Sequence, residues 1–459
     1  MTGVDEKQVT PESDEISVAD LVRDVAIALH DGDSQRAAGL VVALHPRDLA
    51  DVIELLSPEH RVALIQAMGS AFNYEVLSEI DETVRDQLSE ALPNELLAKA
   101  VTELDTDDAA YLIENLEQED RDEILAQLPK GERAALERQL EYPEETAGRL
   151  MQSDFVAVAP YWTVEQVIEH ARETDDLPDT FSEIFVVDPA FRVLGSVDLS
   201  RLLRTKRDVP VSDIMETDLH VVVATEDQEE VARQFERYDL ISAPVVDENG
   251  KLVGVITVDD VVEVIQDEAD EDMRALGGVG DESLGDTVAQ TAQSRVPWLI
   301  VNLGTAVLAS VVIQQFDATI AQMVALAVLM PIVASMGGNA GTQTMTVTVR
   351  ALATNKLGAA NARRIITRET AVGLINGLVL SLIMAGIVFL WFGSTKLGAV
   401  IGAAMVVNLL AAALAGILIP LALDKLKLDP APASGVFVSM ITDCVGFFAF
   451  LGLASLILF

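Results

Sequence analysis

Cysteine is almost absent: Cys444 stands alone in 459 residues, so no disulfide can form within the chain. Basic residues are scarce as well, with 31 Lys and Arg against 73 Asp and Glu. A net charge of −42 without basic clusters excludes nucleic acid as a partner, because phosphate binding needs grouped Lys and Arg. The histidines, His30, His45, His60, His170 and His220, are scattered, with neither metal-ligand spacing nor a nucleophile nearby. No Gly-rich loop leads into a Lys that would cradle phosphate. The chain therefore does not read as an enzyme. Met1 to Ser13 lack the basic start and apolar run of a secretory signal. The N-terminus is expected in the cytosol, with 1–17 as a disordered acidic tail.

The acidity is not spread evenly. From Arg295 to Phe459 there are nine basic and five acidic side chains, and all the rest precede Arg295. A spanning helix needs about 20 mostly apolar residues. Five stretches supply that: Pro297 to Phe316, Ile320 to Val349, Thr370 to Phe392, Leu397 to Leu423 and Ser434 to Phe459. Arg350, Lys356, Arg363, Arg364 and Arg368 lie between spans two and three, and Lys425 and Lys427 between four and five. Short basic loops stay on the cytosolic side. The acidic part is then inside and Phe459 outside.

Within the spans, Asp443 is the anomaly. An acid at the bilayer centre costs about 2.5–3.5 kcal/mol on insertion scales and persists where it faces a cavity or a partner. It is either a hydrogen-bonded structural Asp or a cation site in a pore. The second span carries Pro331 and the run Gly337-Gly338-Asn339-Ala340-Gly341-Thr342-Gln343. Pro removes a helix hydrogen bond, and clustered Gly permits unwinding or close helix approach. Unwound backbone lining a water-filled cavity would offer carbonyls to a cation; packed glycines would not. Gly373, Gly377, Gly398 and Gly402 have the spacing of helix contacts, and Asn302, Asn376 and Asn408 are expected to bond between helices.

Before the membrane part, Val18 to Leu140 is a helical pattern that repeats. Leu49 to Leu56 followed by Arg61 parallels Ala109 to Leu116 followed by Arg121, with a weaker copy between, ending at Ile80 and Arg85. From Leu150 to Ile265 short β-branched runs alternate with helices. Phe185-Val186-Val187-Asp188 with Gly195 parallels Pro244-Val245-Val246-Asp247 with Gly254. This duplication resembles a tandem pair of CBS domains, which often bind adenine nucleotides. The Ser/Thr-x-x-Asp ribose motif fits Thr257 and Asp260 in the second copy, whereas the first copy has Asp198 and Arg201. ATP is thus a doubtful ligand.

Acids then crowd toward the membrane. Asp260, Glu263 and Asp267 share one helical face, and Glu268, Glu271 and Asp272 another. Like charges at that spacing destabilise a helix unless a hard divalent cation neutralises them. A generally acidic, solvated surface is the competing explanation. The segment 267–294, broken by Gly277, Gly278 and Gly280, leads into span one and is placed to pass a domain movement to it.

Taken together, the chain is expected to be a multidomain membrane protein. Its parts are an all-α helical-repeat N domain (18–145), an α/β tandem CBS pair (146–266), a long connecting helix (267–294) and a five-helix α transmembrane domain (295–459). This order resembles the MgtE family of magnesium channels. The resemblance is carried by Gly337 to Gln343, Arg350-Ala351-Leu352-Ala353-Thr354, and Asp429-Pro430-Ala431 leading to Thr442-Asp443. It implies a homodimer in the plasma (inner) membrane, embedded in the lipid bilayer, with Mg2+ as the ion conducted. The pore would run along spans two and five, with Asp443 binding hydrated magnesium and Gly337, Gly338, Asn339, Gly341 and Ser439 lining the path. It also implies regulatory magnesium at Glu229, Asp239, Asp260, Glu263, Glu268, Glu271, Asp272 and Asp429, with Asp108 or Asp107 from the N domain. A coupled divalent cation transporter or exchanger, and a membrane-tethered nucleotide sensor, are the rival readings.

Overall fold

The computed structural model describes residues 17–174, 177–178, 180–280, 287–354, 356–358 and 361–459. Residues 1–16 of the expected tail and 281–286 of the expected connecting segment lie outside the described residues. The chain divides into two compact units, Met1–Glu268 and Ala269–Phe459.

The first unit begins with short helices: α1 (Val18–His30), α2 (Ser34–Val41), α3 (Pro46–Leu55), α4 (Pro58–Met68), α5 (Glu82–Ala91), α6 (Asn94–Glu103), α7 (Thr106–Ile113), α8 (Gln118–Gln127) and α9 (Lys130–Leu140). Proline opens α3 and α4 at the first helical position, where its missing N–H costs nothing. Asp33 and Asp81 cap α2 and α5 by accepting backbone N–H bonds. Ile53, Leu64, Leu88, Leu97, Ile113 and Ile124 are fully enclosed and form one core. The repeat read in the sequence has a structural counterpart. Arg61 donates to the Glu54 carbonyl at 2.8 Å, and Arg121 to the Glu114 carbonyl at 3.4 Å. Each arginine thus satisfies the otherwise unpaired end of the preceding helix in its own copy.

Two small sheets follow α10 (Ala147–Leu150). The first joins β1 (Ala157–Val158), β2 (Glu183–Val187) and β3 (Val193–Asp198), with α11 (Val164–Glu173) and α12 (Leu199–Arg204). The second joins β4 (Val222–Val223), β5 (Ser242–Val246) and β6 (Leu252–Thr257), with α13 (Gln228–Tyr238). In both, a short parallel pair leads into a hairpin, and the ladder register shifts at the matching place, Val186/Val187 and Val245/Val246. Glu183 pairs with Asp198 in register, and Ser242 with Thr257. The two equivalent positions touch: Ser242 Oγ donates to Glu183 Oε2 at 2.9 Å. Gly195 and Gly254 are required by close approach. A Cβ at Gly195 would meet the Glu216 carbonyl at 2.5 Å, and one at Gly254 the Gln152 carbonyl at 2.8 Å.

A buried latch fixes the N domain on this pair. Gln139 Nε2 donates to the Arg149 and Met151 carbonyls, both at 2.8 Å. Arg149 lies 3.3 Å from Glu114 with both side chains more than nine-tenths buried. Burial outweighs the nearby Arg149 and Arg85 charges and lifts the Glu114 carboxyl to about 7.

The first unit closes on α14 (Val258–Leu276), whose last turns belong to the second unit. There Ala275 and Leu276 pack against Met345, Val349, Ala431 and Val438. The helix stops at Gly277 and Gly278, the latter at φ +70°, a conformation open mainly to glycine.

Among the described residues of the second unit, five long helices are apolar enough to cross a membrane: α15 (Val288–Gln314), α17 (Ala325–Ala353), α18 (Ala362–Phe392), α19 (Thr395–Lys425) and α20 (Pro430–Ile457). A short α16 (Asp317–Gln322) stands between the first two, so the expected second span is divided near Met323. α18 begins well before the expected span, and Arg363, Arg364 and Arg368 ride on its first turns instead of in a loop. α19 is the most enclosed, with Val400, Ile401, Ala404, Ala412 and Ile417 all buried. Gly373 and Gly377 admit the backbone and side chains of Leu409, Ala413 and Val406, and Gly398 and Gly402 those of Ala385 and Ser381. Small residues here let helices approach closely, as their spacing predicts.

Candidate functional site

Two groups of side chains match the chemistry read in the sequence, one in each unit. In the membrane unit, α17 is helical throughout, Pro331 and the glycine run included. Of the two alternatives for the glycine run, close helix packing is the one found. Pro331 sits near the N-terminal end of α17, and the glycines serve packing. Gly337 abuts the Asn408 side chain, and a Cβ at Gly341 would lie 2.5 Å from Val438. Both are buried in the seam between α17, α19 and α20, while Gly338 is half-buried and Asn339 exposed. Of the expected lining residues on α17, Asn339 is thus the one on an open face.

That face has more members than the sequence reading named. Ser335, Asn339, Thr342 and Thr346 are all exposed and follow each other at helical spacing. Polar side chains on an apolar helix are costly against lipid, so this stripe belongs to a water-filled cavity or another protein surface. The signal was present as a polar periodicity, hidden by the more conspicuous glycines. On α20, Ser439 and Asp443 are both half-buried and one turn apart. Thr442 points the other way, fully buried against Gly341 and bonded to the Ser439 carbonyl at 3.0 Å. Among the described residues no basic side chain forms an ion pair with Asp443. Asn302 and Asn376 stand on exposed helix faces instead of bonding between helices; Asn408 does bond between them.

In the first unit, the first turn of α7 meets the first turn of α14. Asp107 is 3% exposed, and its Oδ1 has no hydrogen-bond partner among the described residues. Burial, then the charges of Asp260, Asp108 and Asp105, push its carboxyl well above the usual range. Asp108 is raised to about 7, by burial first and then by Asp105 and Glu263. Asp260 is also raised to about 7, chiefly by burial, although Thr257 Oγ1 donates to its Oδ2 at 2.8 Å. Glu263 is shifted upward by burial and Glu79, and Arg47 restrains it from 2.8 Å. Asp108, Asp260 and Glu263 are thus brought together from distant sequence. Asp107, the other N-domain candidate, is the most enclosed, and Glu79 and Asp105 were not anticipated.

The remaining candidate acids are divided between the two units. Glu229 pairs with Arg233 at 2.7 Å, and Glu268 accepts from Gln228 at 2.9 Å. Asp239 ends α13 in a left-handed conformation at φ 54°. In the second unit, burial and then Asp429 raise Asp272, and Asp429 caps α20 by accepting the Ala431 N–H at 2.8 Å. Among the described residues no three His, Cys, Asp or Glu side chains converge closely enough to hold a metal ion as they stand. The fit to a divalent cation is instead one of charge. Buried carboxylates that face each other, one oxygen unpaired, suit a hard cation with part of its water shell.

The cleft beside Thr257 fits a nucleotide poorly. Its cavity, bordered by Gln152, Asp154, Phe185 and Thr257, measures about 30 Å3. That is about one water molecule, whereas small-molecule sites run to ~300 Å3 or more.

Comparison with known proteins spans both units. Residues 330–453 match the MgtE family, a divalent cation transporter. Residues 44–145 match the MgtE intracellular N domain, and 147–208 and 211–267 each match a CBS domain. The magnesium transporter MgtE of Thermus thermophilus is 34% identical over 437 residues, covering 94% of this chain and 97% of the relative. That of Bacillus subtilis is 29% identical over 437 residues, covering 95% and 97%. A solved cytosolic domain of the Mg2+ channel MgtE in complex with ATP aligns with 53% of this chain and 99% of its own, at 33% identity and a TM-score of 0.49. The agreement runs from the N domain through the CBS pair to the last span, and the chain belongs to the MgtE family of divalent cation transporters.

Proposed function

We propose that the protein is a magnesium-selective channel, gated by cytosolic magnesium, and that it works as a homodimer in the plasma membrane. The observation that carries the pore assignment is Asp443: a carboxylate midway along a spanning helix, half-open, sharing its face with Ser439 and paired with no basic side chain among the described residues. An acid so placed attracts a divalent ion into a low-dielectric path, and a second copy across the dimer axis would double that field. Magnesium gives up its waters reluctantly. Polar side chains such as Ser439 on α20, and Asn339 and Thr342 on α17, therefore suit an ion that passes mostly hydrated.

The gate follows from the same charge logic. When cytosolic magnesium is scarce, Asp107, Asp108, Asp260 and Glu263 repel one another and loosen α7 from α14. When it is abundant, bridging ions draw them together. The regulatory set also includes Glu229, Asp239, Glu268, Glu271, Asp272 and Asp429. α14 carries Asp260 at its start and Ala275 and Leu276, which pack beside α17 and α20, at its end. That arrangement supports α14 as the element that closes the pore. ATP at Thr257 and Asp260 is the least supported part, given the small cleft.

The test is magnesium flux in proteoliposomes with internal magnesium varied and no sodium or proton gradient. Flux that persists and falls as internal magnesium rises supports a gated channel. Flux that requires an ion gradient supports a coupled transporter. Protein that passes no divalent ion under any condition overturns both.

A further inference from the structure

Asn408 is the most enclosed polar side chain of α19, 1% exposed, on a helix otherwise buried through aliphatic residues. Its Nδ2 donates to the Val333 carbonyl of α17 at 2.8 Å. Its Oδ1 is buried without a partner among the described residues. Two glycines make room for it, one from each neighbouring helix. A side chain at Gly337 of α17 would collide with the Asn408 amide, and a Cβ at Gly446 of α20 would lie 2.7 Å from Nδ2. Gly446 follows Asp443 by three residues, less than one helical turn. Gly337 opens the run that reaches Asn339. One amide thus fills the space between the two helices that carry Asp443 and the polar stripe.

A helix contact built for stability alone would do better with an apolar side chain here. A buried amide with one unsatisfied oxygen is costly, and interhelical bonds in membranes repay little of that. What the amide adds is a fixed length and direction. It is too large for the helices to close over and is tethered at Val333 against sliding.

We infer that Asn408 is a positioning residue for ion permeation: it sets the separation and register of α17 and α20 at the level of Asp443. The inference rests on the pore reading above. Shortening the side chain lets α20 settle toward α17 and moves Asp443 relative to the ion path; adding bulk at Gly446 pushes it the other way. Supporting groups that orient an ion-binding side chain are typically worth about 10–100-fold in binding or activity.

The experiment uses full-length protein in liposomes, with flux normalised to folded protein. Asn408→Ala and Gly446→Ala are measured for magnesium flux, for preference of magnesium over calcium and potassium, and for thermal midpoint. The expected result in both is a flux loss of at least about tenfold together with weakened preference, while inhibition by internal magnesium is retained. Should Asn408→Ala not fold, Gly446→Ala decides alone. A lowered midpoint with flux and preference unchanged makes the residue merely structural and overturns the inference. Asp443→Asn, run in parallel, separates the two failures. If it keeps full preference while Asn408→Ala loses it, the pore assignment of Asp443 falls and the role of Asn408 stands. If it loses preference while both other variants keep theirs, the Asn408 inference falls alone.

Discussion

The cytosolic and membrane units both use carboxylates, but in opposite ways. In the first, Asp107, Asp108 and Asp260 are crowded together, and lost hydration first, then neighbouring carboxylates, lifts Asp108 and Asp260 to about 7. In the second, Asp443 is isolated on α20 on a half-open face, with Ser439 beside it. Crowded acids would change their spacing with a bound cation, which suits the sensing proposed for them. A single acid on a helix would be available to each passing ion and hold none tightly, which suits the conduction proposed for it.

The strongest way to break this contrast is Asp443→Ala. It should remove the preference for magnesium over potassium altogether in liposome flux, with internal control left in place. A variant that still discriminates would return Asp443 to a structural role. Next in size is Arg149→Met, which strands Glu114 in the buried latch. Removing one partner of such a pair costs about 3–5 kcal/mol. Denaturant unfolding of the purified protein should show the first unit weakened, and less so below about pH 7, where Glu114 takes up a proton. An unchanged midpoint would mean that Arg149 contributes only packing.

Neutralising Glu268, Glu271 and Asp272 together should weaken inhibition by internal magnesium by ~5-fold or more, the usual lower range of coupling between sites. A dose–response curve identical to wild type would remove these three from the gate. The smallest effect is on pH. Asp108 and Asp260 are raised from an ordinary 3.8 to about 7, so the folded state holds extra protons in that window. Their contribution is complete below about 4 and lost as pH rises through about 7. Without divalent cations, protease cleavage between the N domain and the CBS pair should accelerate from pH 5 to pH 8. Saturating magnesium should flatten that profile; a profile equally steep with magnesium would place the ion elsewhere.

Much of the fold is legible in the sequence because its causes are local. Five apolar runs, the Arg61 and Arg121 copies and the paired β-branched strands each follow from periodicity within a short window. The site is less so. Asp260 and Glu263 stood out because like charges recurred along one helix, and Asp443 because it interrupts an apolar run. Glu79, Asp105 and the degree of enclosure of Asp107 did not stand out, since their significance comes from α7 lying against α14. The glycine run was ambiguous for a related reason. Glycine permits both unwinding and tight packing, and only the neighbours at Gly337 and Gly341 decide between them.

By itself, then, the sequence determined the division into an acidic part and a membrane part, the number of spans and the identity of the one mid-span acid. These depend on composition and on the length of apolar runs, which the chain carries without folding. The tertiary structure alone decided which carboxylates are deprived of water together, and that Asn408 fills the gap between α17 and α20. Desolvation and steric fit are properties of surfaces in contact, and residues as far apart as Asp107 and Asp260, or Gly337 and Asn408, are brought together only when the chain has folded.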